Sequence, residues 1–400
     1  MEKVYIVSAK RTAIGKFLGS LAGFGAGELG SIVIKKILEE TGVDAHSIDQ
    51  VIAGNVLTAG QGQGVARQAA IKAGIPVHVP AFGIDMVCGS GMKSVMTGCT
   101  EIAAGNADII IAGGIESMSN APFMLGAGLR NGQKMGDFKA VDHMVFDGLT
   151  DVFNNYHMGI TAENIAEKYD ISRQAQDEFA FSSQQKAIKA VDSGVFAKEI
   201  VPVEIVGKKE TVIFDADEFP NRTSTPEKLA ALKPAFKKDG TVTAGNASGV
   251  NDGASFVMLM SEKKVKELGI TPLVEVVAYG QGGVAPELMG LGPIPAIENT
   301  LKIAGKQLKD MEIIELNEAF AAQSLGVMKL LEEEHQVSHE WLNERTNKNG
   351  GAIALGHPIG ASGNRIIVTL IHEMIRSNNH LGLASLCIGG GMGTALIVKR

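Results

Sequence analysis

The run Val87-Cys88-Gly89-Ser90-Gly91-Met92-Lys93-Ser94 places a thiol just before glycines and just before a helix. Apolar residues Met92, Val95, Met96, Cys99, Ile102 and Ala103 follow at helical spacing. Gly105-Asn106 ends the pattern, and Asp108-Ile109-Ile110-Ile111-Ala112-Gly113 reads as a buried strand. Cys88 is thus expected at a helix N-terminus, where free N–H groups and the helix dipole favour a thiolate. The glycines let a backbone or a substrate come close. Such a thiol suits nucleophilic attack. The plainer reading is a small buried residue of the core.

Two further segments bear on that choice. One is Gly351-Ala352-Ile353-Ala354-Leu355-Gly356-His357-Pro358-Ile359-Gly360-Ala361-Ser362-Gly363, and the other is Cys387-Ile388-Gly389-Gly390-Gly391-Met392-Gly393. Each sets a reactive side chain, His357 or Cys387, in a Gly-rich turn beside a strand or helix. Pattern alone does not bring the three segments together in space.

Up to about residue 120, short β-rich runs alternate with helical patterns, as in Val4–Val7, Glu28–Glu40 and Gln50–Ala53. This is the signature of a layered α/β domain. From 121 to 245 strand runs become sparse, and amphipathic helices are expected at Thr161–Tyr169 and Ser172–Val191. The stretch reads as a large insertion, after which Ser255–Met260 resumes as a core strand. The remainder repeats the first theme. Asp310 to Asn317 parallels Asp49 to Asn55 as a strand ending in Asn, and Gly360-Ala361-Ser362-Gly363 opens a helix as Cys88-Gly89-Ser90-Gly91 does. Leu383–Ile388 mirrors Ile109–Ala112. Two copies of one α/β unit explain this. The division is 1–120 plus 246–270, an insertion at 121–245, and a second half at 271–400.

A chain of 400 residues, 45% apolar and with 49 glycines, supports a large core with many tight strand–helix junctions. A net charge of −7 argues against a general nucleic-acid binder. The three cysteines form no CxxC pair, which fits a reducing compartment. Met1–Ser8 leads directly into a strand, too short for a signal segment, and the chain closes on a strand without a peroxisomal address. No apolar run reaches membrane-spanning length, and the expected location is the cytoplasm.

Gly25-Ala26-Gly27-Glu28-Leu29-Gly30 has dinucleotide-loop spacing but does not directly follow a strand, so it reads as a helix start. His335 and His339 stand at i and i+4 among Glu332, Glu333, Glu334 and Glu340, which look like a solvated helix face, and no metal is expected. Arg222, Lys228, Lys233, Lys237 and Lys238 are opposed in their stretch only by Glu227. A basic patch on an acidic protein suits an anionic ligand such as a phosphorylated cofactor. The alternative is a solvated loop.

Together with Asn317-Glu318-Ala319-Phe320, the three Gly-rich motifs resemble those of the thiolase family. The similarity runs from Val7-Ser8-Ala9-Lys10-Arg11-Thr12, through Gly240-Thr241-Val242-Thr243-Ala244-Gly245-Asn246-Ala247-Ser248-Gly249, to Gly389-Gly390-Gly391-Met392-Gly393-Thr394. The resemblance implies an α/β thiolase fold of two similar halves in a five-layered α-β-α-β-α core, with an inserted loop domain. It also implies a homotetramer, a dimer of dimers, with Pro122–Gly136 as the tetramerisation loop.

The resemblance further implies reversible condensation of two acetyl-CoA to acetoacetyl-CoA and CoA. Coenzyme A thioesters are then substrates, and no separate cofactor is needed. By the same resemblance, Cys88 takes the acyl group, His357 accepts its proton, and Cys387 removes the α-proton of the second acetyl-CoA. Asn317 completes one oxyanion site through a water, and the N–H groups of Cys88 and Gly389 form the other. His157, Met158 and Ser248 resemble residues of the pantetheine tunnel, and Met289 the residue that shortens the acyl pocket. The family's adenine-packing arginine falls at Asn221 here; Arg222 follows it and is the residue carried over. A degradative 3-ketoacyl-CoA thiolase of broader chain length would use the same groups. A non-catalytic acyl-CoA-binding protein would lack one of Cys88, His357, Cys387 and Asn317, and all are present.

Overall fold

The computed structural model describes residues 2–400. The first half supplies strands β1 (Val4–Thr12), β2 (Gln50–Gly54), β3 (Ala81–Ile84), β4 (Ile109–Ser117) and β5 (Asn251–Ser261). The second supplies β6 (Val274–Gly283), β7 (Ile313–Leu316), β8 (Leu381–Ile388) and β9 (Met392–Lys399). Every residue of β4 and β5 is buried, which is why they read as apolar runs and not as alternating ones.

The first half runs β3-β2-β4-β5-β1. Strand β2 is parallel to β3 and β4, while β5 is antiparallel to β4 and β1. The second half runs β7-β8-β9-β6, with β7 parallel to β8 and β9 antiparallel to both β8 and β6. Its counterpart of β3 is a single parallel bridge between Ile314 and Thr346. The next residue, Asn347, turns at φ +46°. Its carboxamide then stands in for a strand, accepting from Leu316 N at 2.9 Å and donating to Leu316 O at 2.7 Å. With that substitution the two halves share one strand order, as the internal repeat predicts. The two first strands, β1 and β6, pair over Val4–Ile6 and Val274–Val276 and join the sheets.

Helices Ser90–Ala103 and Ile359–Ser377 occupy equivalent places in the two halves and pack between the sheets. Along β4 the apolar side chains divide by face. Ile110 and Ala112 join this central layer, while Ile109, Ile111 and Ile115 face the outer helix Ala26–Thr41. That helix starts at its cap Gly25, as read from the glycine run. Pro293–Ala304 and Ala321–His335 cover the outside of the second sheet. The order is therefore α-β-α-β-α.

Between β4 and β5 lie helices Gly159–Lys168 and Arg173–Asp192, the latter capped by Ser172, together with short ribbons. A buried cluster ties this stretch to the core. Arg11 of β1 donates from Nε to Glu199 at 2.6 Å and from both Nη atoms to Asp217 at 2.7 and 2.9 Å. Glu199 also accepts from Thr369 Oγ1 at 3.1 Å, on the central helix of the second half. The two histidines read as one helix face are split. His335 ends one helix, and His339 opens the next with its Nδ1 2.7 Å from Glu332. No helix among the described residues is long and apolar enough to cross a membrane.

Removing Arg11 leaves two buried carboxylates without their cation. Breaking such a pair from one side costs ~3–5 kcal/mol. Arg11→Met is expected to lower the unfolding free energy by that order in urea titration, whereas an unchanged midpoint would mean the cluster carries no net stability.

Candidate active site

The duplicated topology sets the starts of both central helices near the middle of the molecule. Cys88 stands in the turn before Ser90–Ala103, and His357 in the turn before Ile359–Ser377. Val87 adopts φ +46°, a left-handed conformation unfavourable for a β-branched residue. Three side-chain hydrogen bonds hold it there. Asp85 accepts from Val87 N at 2.9 Å, and Ser90 Oγ accepts from Met86 N at 2.8 Å while donating to Val87 O at 2.7 Å. The turn aims Cys88 into a cavity of about 290 Å³ that His357 and Cys387 also line.

The Gly389 N–H, from the turn after β8, favours the thiolate form of Cys88. Burial nevertheless pushes its thiol up to about 11, outweighing that N–H and its own. The expected thiolate is therefore a thiol at rest. The helix end is real, but desolvation of the charged form exceeds it. Burial also raises the Cys387 thiol, with Cys88 adding to the effect.

His357 responds in the complementary direction. Burial, then the charge of Arg365, pulls its imidazole down to about 4, so it is neutral near pH 7. Its tautomer follows from its neighbours. Ser362 Oγ donates its one hydrogen to Pro358 O at 2.9 Å and must then accept from His357 Nδ1–H, 2.6 Å away. Nε2 keeps its lone pair and has no protein partner. A neutral thiol thus shares one cavity with a neutral imidazole poised to accept a proton.

His157, Met158, Ser248 and Met289 line the same cavity. His157 Nδ1 accepts from Gly159 N at 3.0 Å, which leaves Nε2–H as a donor, and its ring stacks on Phe236 at 4.5 Å between centroids. Ser248 N donates to Ala319 O at 2.9 Å and Ala247 bridges to Phe320, which ties the Asn317-Glu318-Ala319-Phe320 run to this wall. Asn317 ends β7 with a buried carboxamide that has no protein partner on either atom, and it does not line the cavity. Arg222 lies elsewhere as well. It lines an adjoining cavity of about 960 Å³ with Ser224 and Lys228, and the two cavities share Ala244. Its guanidinium is held by Asp192 at 2.6 and 3.0 Å.

Ser362 and Phe320 stand within motifs quoted from the sequence, but no role is read for either there. Ser362 falls five residues after His357 in a Gly-rich turn, a spacing that could have drawn attention. Phe236 gives no local signal.

The description "Thiolase, N-terminal domain" matches residues 4–263, and "Thiolase, C-terminal domain" matches residues 270–400. The chain belongs to the thiolase family. It is 55% identical to the acetyl-CoA acetyltransferase of Pseudomonas aeruginosa, with 100% of each chain covered. The solved acetyl-CoA acetyltransferase of Syntrophomonas wolfei superposes with a TM-score of 0.97 at 44% identity, covering 100% of both. Human mitochondrial 3-ketoacyl-CoA thiolase in complex with CoA superposes at 0.93 with 43% identity, covering 100% of this chain and 98% of that one.

Two predictions follow from the imidazole. Ser362→Ala frees the tautomer, so Cys88 should react with iodoacetamide on the order of tenfold more slowly near neutral pH. An unchanged rate would show that another group fixes the ring. The second concerns stability. Between pH 6.5 and about 4 the unfolded chain takes up a proton that buried His357 does not. This contribution therefore disfavours the fold as pH falls, reaching about 3 kcal/mol. Burial raises Glu116 to about 7 and Glu315 to about 8, which act with the opposite sign. The difference between wild type and His357→Asn isolates the imidazole: the variant should lose less stability between pH 6.5 and 4.

Proposed function

We propose that this thiolase condenses two acetyl-CoA into acetoacetyl-CoA and CoA, reversibly, through an acetyl-Cys88 intermediate. The observation that carries this reading is the convergence of Cys88 and His357, from two turns, and Cys387, from the end of β8, on one 290 Å³ cavity. Family membership and the full-length similarity to acetyl-CoA acetyltransferases support it.

In the first half-reaction Cys88 Sγ attacks the thioester carbon as its proton passes to His357 Nε2. The N–H groups of Cys88 and Gly389 receive the oxyanion, and the C–S bond to CoA breaks as the CoA sulfur takes the Cys387 proton, leaving Cys387 a thiolate beside a protonated His357. In the second, the Cys387 thiolate left by that transfer removes a proton from the methyl carbon of another acetyl-CoA and returns to the thiol. His357 and an Asn317-held water stabilise the resulting enolate oxygen. The carbon attacks the acetyl group, and Cys88 leaves as the C–S bond breaks, its sulfur taking the proton back from His357. With both thiols raised by burial, each deprotonation is coupled to substrate binding and does not precede it.

Residues 121–245 form the unit that binds coenzyme A. His157, Met158 and Ser248 take the pantetheine arm, Arg222 and the basic wall around Lys228 the nucleotide end, and Met289 limits acyl length. Phe123, Leu125, Met135 and Phe138 are exposed on or beside the ribbon of Phe123–Leu125 and Ala140–Asp142. We assign this apolar surface to a homotetramer, a dimer of dimers. The three cysteines are free, which suits a reducing, cytoplasmic setting.

Brief exposure to acetyl-CoA should add one acetyl group to Cys88 by mass spectrometry, and Cys88→Ala should abolish it. Cys387→Ala should keep the acetylation but lose condensation and deuterium exchange into the acetyl methyl group. Loss of acetylation with retained exchange would reverse the two cysteine roles. Comparing kcat/KM across acyl lengths separates this reading from a broader 3-ketoacyl-CoA thiolase.

A further inference from the structure

Cys88 and His357 belong to different halves of the molecule, and their chemistry requires a fixed approach. Two strands of the first half grip the turn that carries His357. On β5, Asn251 Oδ1 accepts from the His357 backbone N–H at 2.9 Å, and Asn251 Nδ2 donates to Gly15 O at 2.9 Å. Ser255 Oγ donates to Ala361 O at 3.0 Å. On β4, Glu116 Oε2 accepts from Gly360 N at 2.9 Å and Val56 N at 3.2 Å, while Oε1 accepts from Asn55 Nδ2 at 2.8 Å and Leu57 N at 3.2 Å. All three side chains are fully buried.

The turn sits directly on this grip. Gly356 adopts φ +105°, and a Cβ there would come within 2.5 Å of Asn251 Cγ. A Cβ on Gly360 would come within 2.7 Å of Glu116 Oε2 and 2.6 Å of Ile115 O. Four donors converge on Glu116, and only a carboxylate accepts at both oxygens. A glutamine of the same shape would turn its NH₂ against two donors in either orientation.

We propose that Glu116, with Asn251 and Ser255, is a positioning residue that latches the His357 turn onto the first half and so sets the reach of Nε2 toward Cys88. The inference rests on His357 being the base. A carboxylate buried among donors, with no cation among its hydrogen-bond partners, is a costly way to gain stability alone. It is an effective way to fix backbone N–H groups from two elements at once.

The test is Glu116→Gln beside His357→Ala. In Glu116→Gln that folds by circular dichroism, kcat for acetoacetyl-CoA thiolysis should fall about tenfold to a hundredfold, with KM within about twofold. The pH profile of Cys88 alkylation by iodoacetamide should move upward, toward that of His357→Ala. A folded variant with wild-type kcat and profile would overturn the latch, as would a loss expressed only in KM. If Glu116→Gln does not fold, Ser255→Ala decides by the same readouts. It removes one hydrogen bond to the turn and should cost about threefold to tenfold in kcat; wild-type values there would overturn the proposal. His357→Ala with an unaltered alkylation profile would remove the base assignment itself, and the latch with it. A shifted profile in His357→Ala without one in the folded latch variant would remove the latch alone.

Discussion

Desolvation of Cys88, His357 and Cys387 in one cavity is the constraint on which the remaining chemistry depends. Burial lifts both thiols and lowers the imidazole, so all three groups are neutral at rest. A resting thiolate would react with any small electrophile that entered. A neutral pair withholds reactivity until a thioester arrives to receive charge. When charge forms, the Gly389 N–H, which favours the charged form of the Cys88 sulfur, is already in place. In a low-dielectric site such a fixed dipole is worth several times its value in water.

That arrangement needs three segments from distant parts of the chain, two turns and a strand end, and the duplication supplies the two turns. In each half the central helix follows the third strand position, and its start faces the other half. The first copy puts a thiol at that start, and the second puts a histidine. The third segment, the end of β8, is the second half's counterpart of the end of β4. There β4 carries Glu116, which holds the histidine turn, and β8 carries Cys387. Equivalent positions in the repeat have taken different tasks within a single site.

The sequence made the repeat legible because glycines mark every close approach, and because buried strands read as plain apolar runs. Cys88, His357 and Cys387 stood out for the same reason: each sits beside glycines that a surface loop does not need. The failures have physical causes. The third strand of the second half is absent from the pattern because Asn347 bonds through its side chain, and a side chain has no period. The thiolate expectation erred because a local pattern shows a helix end but not the burial around it. Nothing in the sequence singles out Glu116, since its partners Val56, Leu57 and Gly360 meet it only in the folded chain.

The two cavities that share Ala244 differ in character. The inner one is narrow and walled by Met158, Met289 and Phe320, with His157 Nε2–H as its donor. The outer one is more than three times larger and carries Arg222 and Lys228. A ligand that fills both must be long, slender and weakly polar at one end, and bulky and anionic at the other. On a protein of net charge −7, locally basic residues at the outer mouth attract that anionic end against the overall field. The Arg11 cluster then has a second consequence. By fixing Asp217 to β1, it sets the Glu218–Arg222 wall of the outer cavity at a constant position relative to the core that carries Cys88. Binding energy gathered far from the sulfur can then be spent on orienting the thioester beside it, which is where a coenzyme A enzyme gains its rate.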